Sequence, residues 1–195
     1  MTDPNQALAE LGEGRPIVIP TDTVYGVAVS PALPGAVEAV FAIKNRPDSK
    51  PLAVLGASLG DLSEVVEVSR RARAVAERFW PGPLTLVLPR RREWSHYLGS
   101  EPAAGVAVRV PRCAPALELL VRSGPLAVSS ANRSGRPPAR TVAEARSALG
   151  AEVSVFVDGG RCDGRPSTIV SLLGQPRTLR RGTLEPGPVL QMLTS

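Results

Sequence analysis

The sequence predicts an α/β protein built on a mixed, twisted sheet flanked by helices, and three observations carry that reading. Apolar runs of strand length, such as Ile17-Val18-Ile19 and Leu84-Thr85-Leu86-Val87-Leu88, recur along the chain. Stretches with apolar residues at helical spacing fall between them. The two kinds alternate without a strict strand–helix–strand rhythm, which argues against a doubly wound parallel sheet. At 195 residues, 43% apolar and 21% charged, one domain over residues 1–195 with a substantial core is expected.

Asp3-Pro4 caps a short helix through Leu8 and Leu11, which Gly12 and Gly14 end. A strand over residues 16–19 then enters Pro20-Thr21-Asp22-Thr23-Val24-Tyr25-Gly26, and the chain continues as a strand through Ser30. This stretch sets two hydroxyls, a carboxylate and free backbone N–H groups at a strand mouth, where open α/β sheets hold ligands. Taken alone it reads equally as a capped turn between strands. Pro34 opens an amphipathic helix carrying Val37, Val40, Phe41 and Lys44, and Pro47 disfavours helix just beyond Arg46. Residues 51–56 read as a buried strand, and 58–66 and 69–79 as helices, the second with a basic face.

Trp80-Pro81-Gly82-Pro83 breaks that helix ahead of a strand over 84–88. A polar loop from Arg90 carries the only histidine, His96. Residues 105–110 form a strand, 115–122 a helix, and 126–129 a strand ending in Ser130-Ala131-Asn132. Thr141 and Glu144 have capping-box spacing for a helix to Leu149. Strands over 153–157, 168–172 and 178–179 and a helical turn over 188–193 complete the chain.

The composition narrows the chemistry. The first residues carry no basic segment and no apolar run reaches membrane-spanning length, so no membrane association is expected. Cys113 and Cys162 are far apart and form no CxxC, consistent with a reducing cytoplasm. With one histidine and no HExxH or GxSxG pattern, zinc hydrolysis and a serine or cysteine triad are disfavoured. Neither a P-loop nor a GxGxxG fingerprint is present, so a nucleotide would bind through scattered side chains and turns.

The net charge of +5 and pI near 10.0 suit a polyanionic partner. The chain holds 21 arginines and two lysines, and both lysines, Lys44 and Lys50, flank Arg46. Alone, these three charges read as a solvated helix end that complements the helix dipole. Arg109 lies within the apolar run Val106-Ala107-Val108-Arg109-Val110, where a charge must find a partner or a ligand.

In order, PTDTVYG, KNRP, PLAVL, WPGPLT, VAVRVP, SSANRSG, PSTIV and LRRG resemble the YrdC/TsaC family of threonylcarbamoyl-AMP synthases, from about Gly14 to the final helix. The resemblance implies a YrdC-like fold, with a mainly parallel, mixed sheet around a basic concave cleft. It implies synthesis of threonylcarbamoyl-AMP and pyrophosphate from L-threonine, bicarbonate and ATP, a nucleotidyl transfer that serves tRNA modification. Lys44, Arg46, Ser130 and Asn132 would be catalytic, with Lys44 and Arg46 nearest the reacting phosphate. Lys50 and Arg180 would join them in holding ATP. Thr23, Arg109 and Ser167 would hold threonine, Arg109 as a carboxylate clamp. Mg2+ would arrive with ATP, without a protein ligand. Weak tRNA binding and downstream threonylcarbamoyl-transfer proteins are the further implied partners.

The sequence departs from the family pattern at two positions. Leu55 stands where longer members carry a histidine, and Arg181 replaces the proline of the LRPG motif. The chain also lacks the extra C-terminal domain of the longer form and resembles the short, single-domain kind. A non-catalytic RNA-binding module on the same fold is the alternative reading; a carbamoyl-transferring relative is disfavoured by the missing cysteines.

Overall fold

The computed structural model describes residues 3–99 and 104–194. The polar loop expected from Arg90 runs on into residues 100–103, which lie outside the described residues. The chain begins with α1 (Pro4–Gly12), β1 (Ile17–Ile19), β2 (Gly26–Val29), α2 (Ala36–Lys44) and β3 (Ala53–Leu55). Next come α3 (Leu59–Ser63), α4 (Arg70–Phe79), β4 (Leu84–Pro89), β5 (Gly105–Arg109) and α5 (Ala114–Ser123). The last elements are β6 (Leu126–Ser130), α6 (Val142–Leu149), β7 (Val155–Phe156), β8 (Thr168–Ser171), β9 (Arg177–Arg180) and α7 (Pro186–Thr194).

Local chemistry sets the ends of these elements. The Asp3 carboxylate accepts the Asn5 N–H at the start of α1, and Ser58 and Asp61 form a full capping box on α3. Helix α2 starts later than Pro34 suggests, because Gly35 takes a left-handed conformation (φ 77°) as its N-cap. Helix α3 is shorter than the expected 58–66. Val65 and Val66 leave the helix for the core, where Val66 bridges to Arg90.

Among the described residues nine strands form one sheet in the order β7-β1-β2-β6-β3-β5-β4-β8-β9. Antiparallel pairs outnumber parallel ones, with only β1–β7, β3–β5 and β4–β8 parallel, which corrects the expectation of a mainly parallel sheet. Short connections such as the six residues between β1 and β2 allow only antiparallel pairing, since a parallel return needs a crossover.

The two faces of the sheet are covered unequally. Val37 and Val40 of α2, Leu62 of α3, Val75 of α4, Leu149 of α6 and Val189 of α7 pack into one large core, which takes side chains from strands across the sheet. On the opposite face, Ala7 and Leu11 of α1 and Leu119 and Leu120 of α5 meet side chains from β1, β2, β3, β6 and β7 alone. Among the described residues no helix joins that packing beyond β3. The uncovered strands β5, β4, β8 and β9 form the floor of a concave cleft.

Candidate active site

The opening stretch is both things its sequence allowed: a hairpin loop between antiparallel strands, with Ile19 opposite Gly26, and a wall of the cleft. The loop is rigidly tied. Thr21 Oγ1 accepts the N–H groups of Thr23 and Val24 and donates to the Val24 carbonyl at 2.6 Å. Tyr25 is fully buried, and its hydroxyl donates to the Gly160 carbonyl at 2.7 Å. Gly26 is required for close approach, since a Cβ there would lie 2.7 Å from Val128 Cγ1 on β6.

Sheet register aligns the floor. Leu55 pairs with Arg109, Thr85 with Ile169, and Ile169 with Arg180. The β4–β5 ladder, with Leu86 opposite Val108, brings Arg109 and Thr85 side by side on the cleft face. Between β8 and β9 the ladder slips by one residue, so Leu179 has no partner. This bulge turns Arg180 onto the cleft face and leaves Leu179 52% exposed. Gly182 lets the chain return against Ser167, because a Cβ there would sit 2.1 Å from the Pro166 carbonyl oxygen.

Arg109 is 5% exposed and engages three of its five N–H groups: Nε to the Gly82 carbonyl at 2.9 Å, Nη1 to Thr23 Oγ1 at 2.9 Å, and Nη2 to Asp22 Oδ1 at 2.5 Å. Two N–H groups remain for a ligand. Burial pushes this guanidinium below its ordinary value, and Asp22 pulls it back. Arg46 donates Nε to the Lys50 carbonyl at 2.7 Å and Nη2 to the Pro51 carbonyl, and burial lowers it too. Arg180 holds Ser167 and is lowered by burial first, then by the charges of Arg109 and Arg46. Three guanidiniums thus face one cleft, and of these three only Arg109 pairs with a described carboxylate. The arrangement is built for a polyanion.

Thr23, Arg46, Arg109, Ser130, Ser167 and Arg180 line the cleft together. Lys44, Lys50 and Asn132 do not line it. Lys44 is 1% exposed and turns its ammonium onto the Ser130 and Asn132 carbonyls, the latter at 2.5 Å, with Asn132 Oδ1 at 3.4 Å. Its three N–H groups are therefore occupied, and burial pushes it down to about 8. Asn132 directs its amide at the Arg133 and Arg136 carbonyls. The pair shapes the turn that follows β6, whereas Arg46 reaches the cleft. Lys50 is exposed near the mouth, and Arg181 is exposed outside the lining.

Sequence reasoning missed two residues. Asp22 orients Arg109 and also accepts the Arg112 N–H at 2.9 Å, and its place in PTDT was the available signal. Thr85 binds the Ser167 hydroxyl at 2.8 Å, and a lone hydroxyl in an apolar strand is a weak signal. No group of three or more metal-ligating side chains occurs among the described residues, and Asp22 is committed to Arg109.

The profile of the Sua5/YciO/YrdC family, described as "Telomere recombination", matches residues 9–182. The chain belongs to the Sua5/YciO/YrdC family. A Mycobacterium tuberculosis relative named putative threonylcarbamoyl-AMP synthase is 39% identical over 186 residues, 94% of this chain and 83% of its own. The Pyrococcus abyssi Sua5 structure with L-threonine superposes with a TM-score of 0.90 at 32% identity, covering 97% of this chain and 57% of the archaeal one. E. coli YciO superposes with a TM-score of 0.87 at 26% identity, covering 96% and 92%. The Sua5/YciO/YrdC domain here thus spans little more than half the length of the archaeal protein.

Proposed function

We propose that this family member is an L-threonylcarbamoyladenylate synthase, a nucleotidyltransferase that joins L-threonine, bicarbonate and ATP for threonylcarbamoyladenosine modification of tRNA. The observation that carries the reading is the cleft with three guanidiniums and one committed carboxylate. Relatives named for the same synthesis support it.

The threonine amine attacks the carbon of bicarbonate (or CO2), giving a carbamate and, from bicarbonate, water. A carbamate oxygen then attacks the α-phosphorus of ATP, and pyrophosphate leaves. No protein nucleophile is needed, so the residues act by positioning and by neutralising charge. The two unspent N–H groups of Arg109 take the threonine carboxylate, while Thr23 and Ser167 flank it. Arg46 and Arg180 neutralise the phosphates, helped by Ser130 and by Lys50 at the mouth. Lys44 and Asn132 act on the nucleotide through Ser130 and the turn that follows it. Mg2+ enters as part of the Mg·ATP substrate, held by phosphate oxygens and water.

The reaction is assigned to the cytoplasm as the work of one domain. No described helix is long and apolar enough to cross a membrane. The tRNA contact is weak and made through phosphates, and the product passes to downstream threonylcarbamoyl-transfer proteins. Purified protein incubated with ATP, threonine and bicarbonate should yield an AMP-linked threonylcarbamate by mass spectrometry. No such product under saturating substrates rejects the synthase and favours the RNA-binding alternative.

A further inference from the structure

The Thr85 and Ser167 hydroxyls, 4% and 5% exposed, lie 2.8 Å apart, and both residues line the cleft. Arg180 donates Nη2 to Ser167 Oγ at 3.1 Å and Nε to the Ser167 carbonyl at 3.0 Å, which fixes the serine oxygen as an acceptor. The pair owns two hydroxyl protons, and the bond between them uses one. No described residue accepts the other. A buried donor without an acceptor costs free energy, so the cleft is completed by an oxygen at this spot.

Thr23 meets the cleft from the hairpin side. Its Oγ1 accepts from Arg109 and lies 3.0 Å from Thr21 Oγ1, whose own proton goes to the Val24 carbonyl. The Thr21 oxygen already accepts the Thr23 and Val24 N–H groups on its two lone pairs, so Thr23 keeps its own proton as well as a lone pair for the cleft. The floor thus offers three complementary features: two N–H groups on Arg109, a Thr23 hydroxyl with a lone pair and a proton, and one hydroxyl proton from Thr85 or Ser167. An α-amino acid with a side-chain hydroxyl matches all three, through its carboxylate, its amine and its hydroxyl oxygen. The carboxylate already has its donors in Arg109, so the hydroxyl proton of the Thr85–Ser167 pair serves the side chain.

We propose that the Thr85–Ser167 pair reads the side-chain hydroxyl of the amino-acid substrate, with Thr85 as a specificity-determining residue. Leu55, Ala107 and Ile169 line the same cleft with apolar surface that suits the substrate methyl group. The inference rests on the threonine reading given above.

The test compares threonine with valine, which replaces the hydroxyl by a methyl. Binding of each to the full chain is measured by calorimetry, and adenylate formation from each is measured separately. Wild type should favour threonine. Thr85→Val, an isosteric change on strand β4, should lower the threonine-to-valine affinity ratio on the order of tenfold to a hundredfold, and Ser167→Ala should act in the same direction. Thr85→Ser should keep the ratio, and the ATP requirement of both folded Thr85 variants should stay near wild type. An unchanged ratio in Thr85→Val overturns the proposal, as does an equal loss for both amino acids, which would move the pair to the carboxylate. Binding with the expected ratio but no adenylate rejects the synthase and leaves this assignment standing. A wild type that does not distinguish the two amino acids overturns the assignment even if synthesis occurs.

Discussion

Arg109 and Asp22 form a nearly buried ion pair, Nη2 to Oδ1 at 2.5 Å, with the side chains 6% and 14% exposed. The same carboxylate oxygen accepts the backbone N–H of Arg112 at 2.9 Å, so the hairpin loop, β5 and the approach to α5 share one anchor. Removing either partner should have a different consequence. Arg109→Ala should raise the threonine requirement by on the order of 1.5–3 kcal/mol, the worth of a charge-assisted contact. Asp22→Ala strands a buried guanidinium and should lower stability by about 3 kcal/mol as well. Threonine titrations and denaturant midpoints on both variants check this. A folded Arg109→Ala that saturates with threonine as wild type does would reduce the pair to a structural role.

Arg46 is held by the Lys50 and Pro51 carbonyls at the cleft wall, so its remaining N–H groups are preorganised. Charge builds on phosphate oxygens as pyrophosphate departs, and donors aimed there matter most in the transition state. Arg46→Ala should keep the fold and much of the ATP binding while losing about 10²–10³ in rate, by analogy with deleting an oxyanion-hole donor. Arg46→Lys should restore little, because an ammonium lacks the planar fork. Near-normal turnover in a variant with wild-type circular dichroism would return this segment to a solvated helix end.

Lys44 gives a pH signature. Burial, aided by the Arg46 charge, pushes its ammonium from 10.5 down to about 8. Between those values the unfolded chain binds more protons than the native one, so this residue makes stability rise with pH. The contribution is complete above the unfolded value and is lost as pH falls through about 8. A shift of this size corresponds to on the order of 3 kcal/mol. Denaturant unfolding from pH 8 to 10.5 should show wild type gaining stability relative to Lys44→Met, and a flat or falling difference contradicts the assignment. Turnover should decline as pH rises through about 8, where the folded ammonium loses its proton, because a neutral amine has two N–H groups for the three acceptors around it.

The basic surface is less available than its arginine count suggests. Arg71, Arg90, Arg91, Arg133 and Arg140 each donate to a backbone carbonyl. Arg70, Arg73, Arg92 and Arg136 are exposed and remain as phosphate contacts. If tRNA binds there, log K should fall steeply with log salt, and each arginine replaced should reduce that slope by about 1. Binding that is indifferent to salt, or absent at low salt, removes RNA from these positions.

Much of this protein was legible in the residues themselves. Helix starts at Asp3, Ser58, Ser69 and Thr141 follow from side-chain oxygens placed to accept backbone N–H groups, a chemistry confined to one turn. Strand positions follow from apolar runs, and the need of Arg109 for a partner follows from its place in such a run. Tertiary structure decided which strands adjoin, and therefore which side chains meet. The antiparallel majority of the sheet, the slip at Leu179 that aims Arg180 inward, and the inward turn of Lys44 onto the β6 turn all depend on packing between distant segments. Thr85 and Ser167 stand 82 residues apart, and only parallel pairing of β4 with β8 brings their hydroxyls together. Periodicity and capping act over a few residues, whereas strand order and the accounting of each buried proton are properties of the assembled sheet.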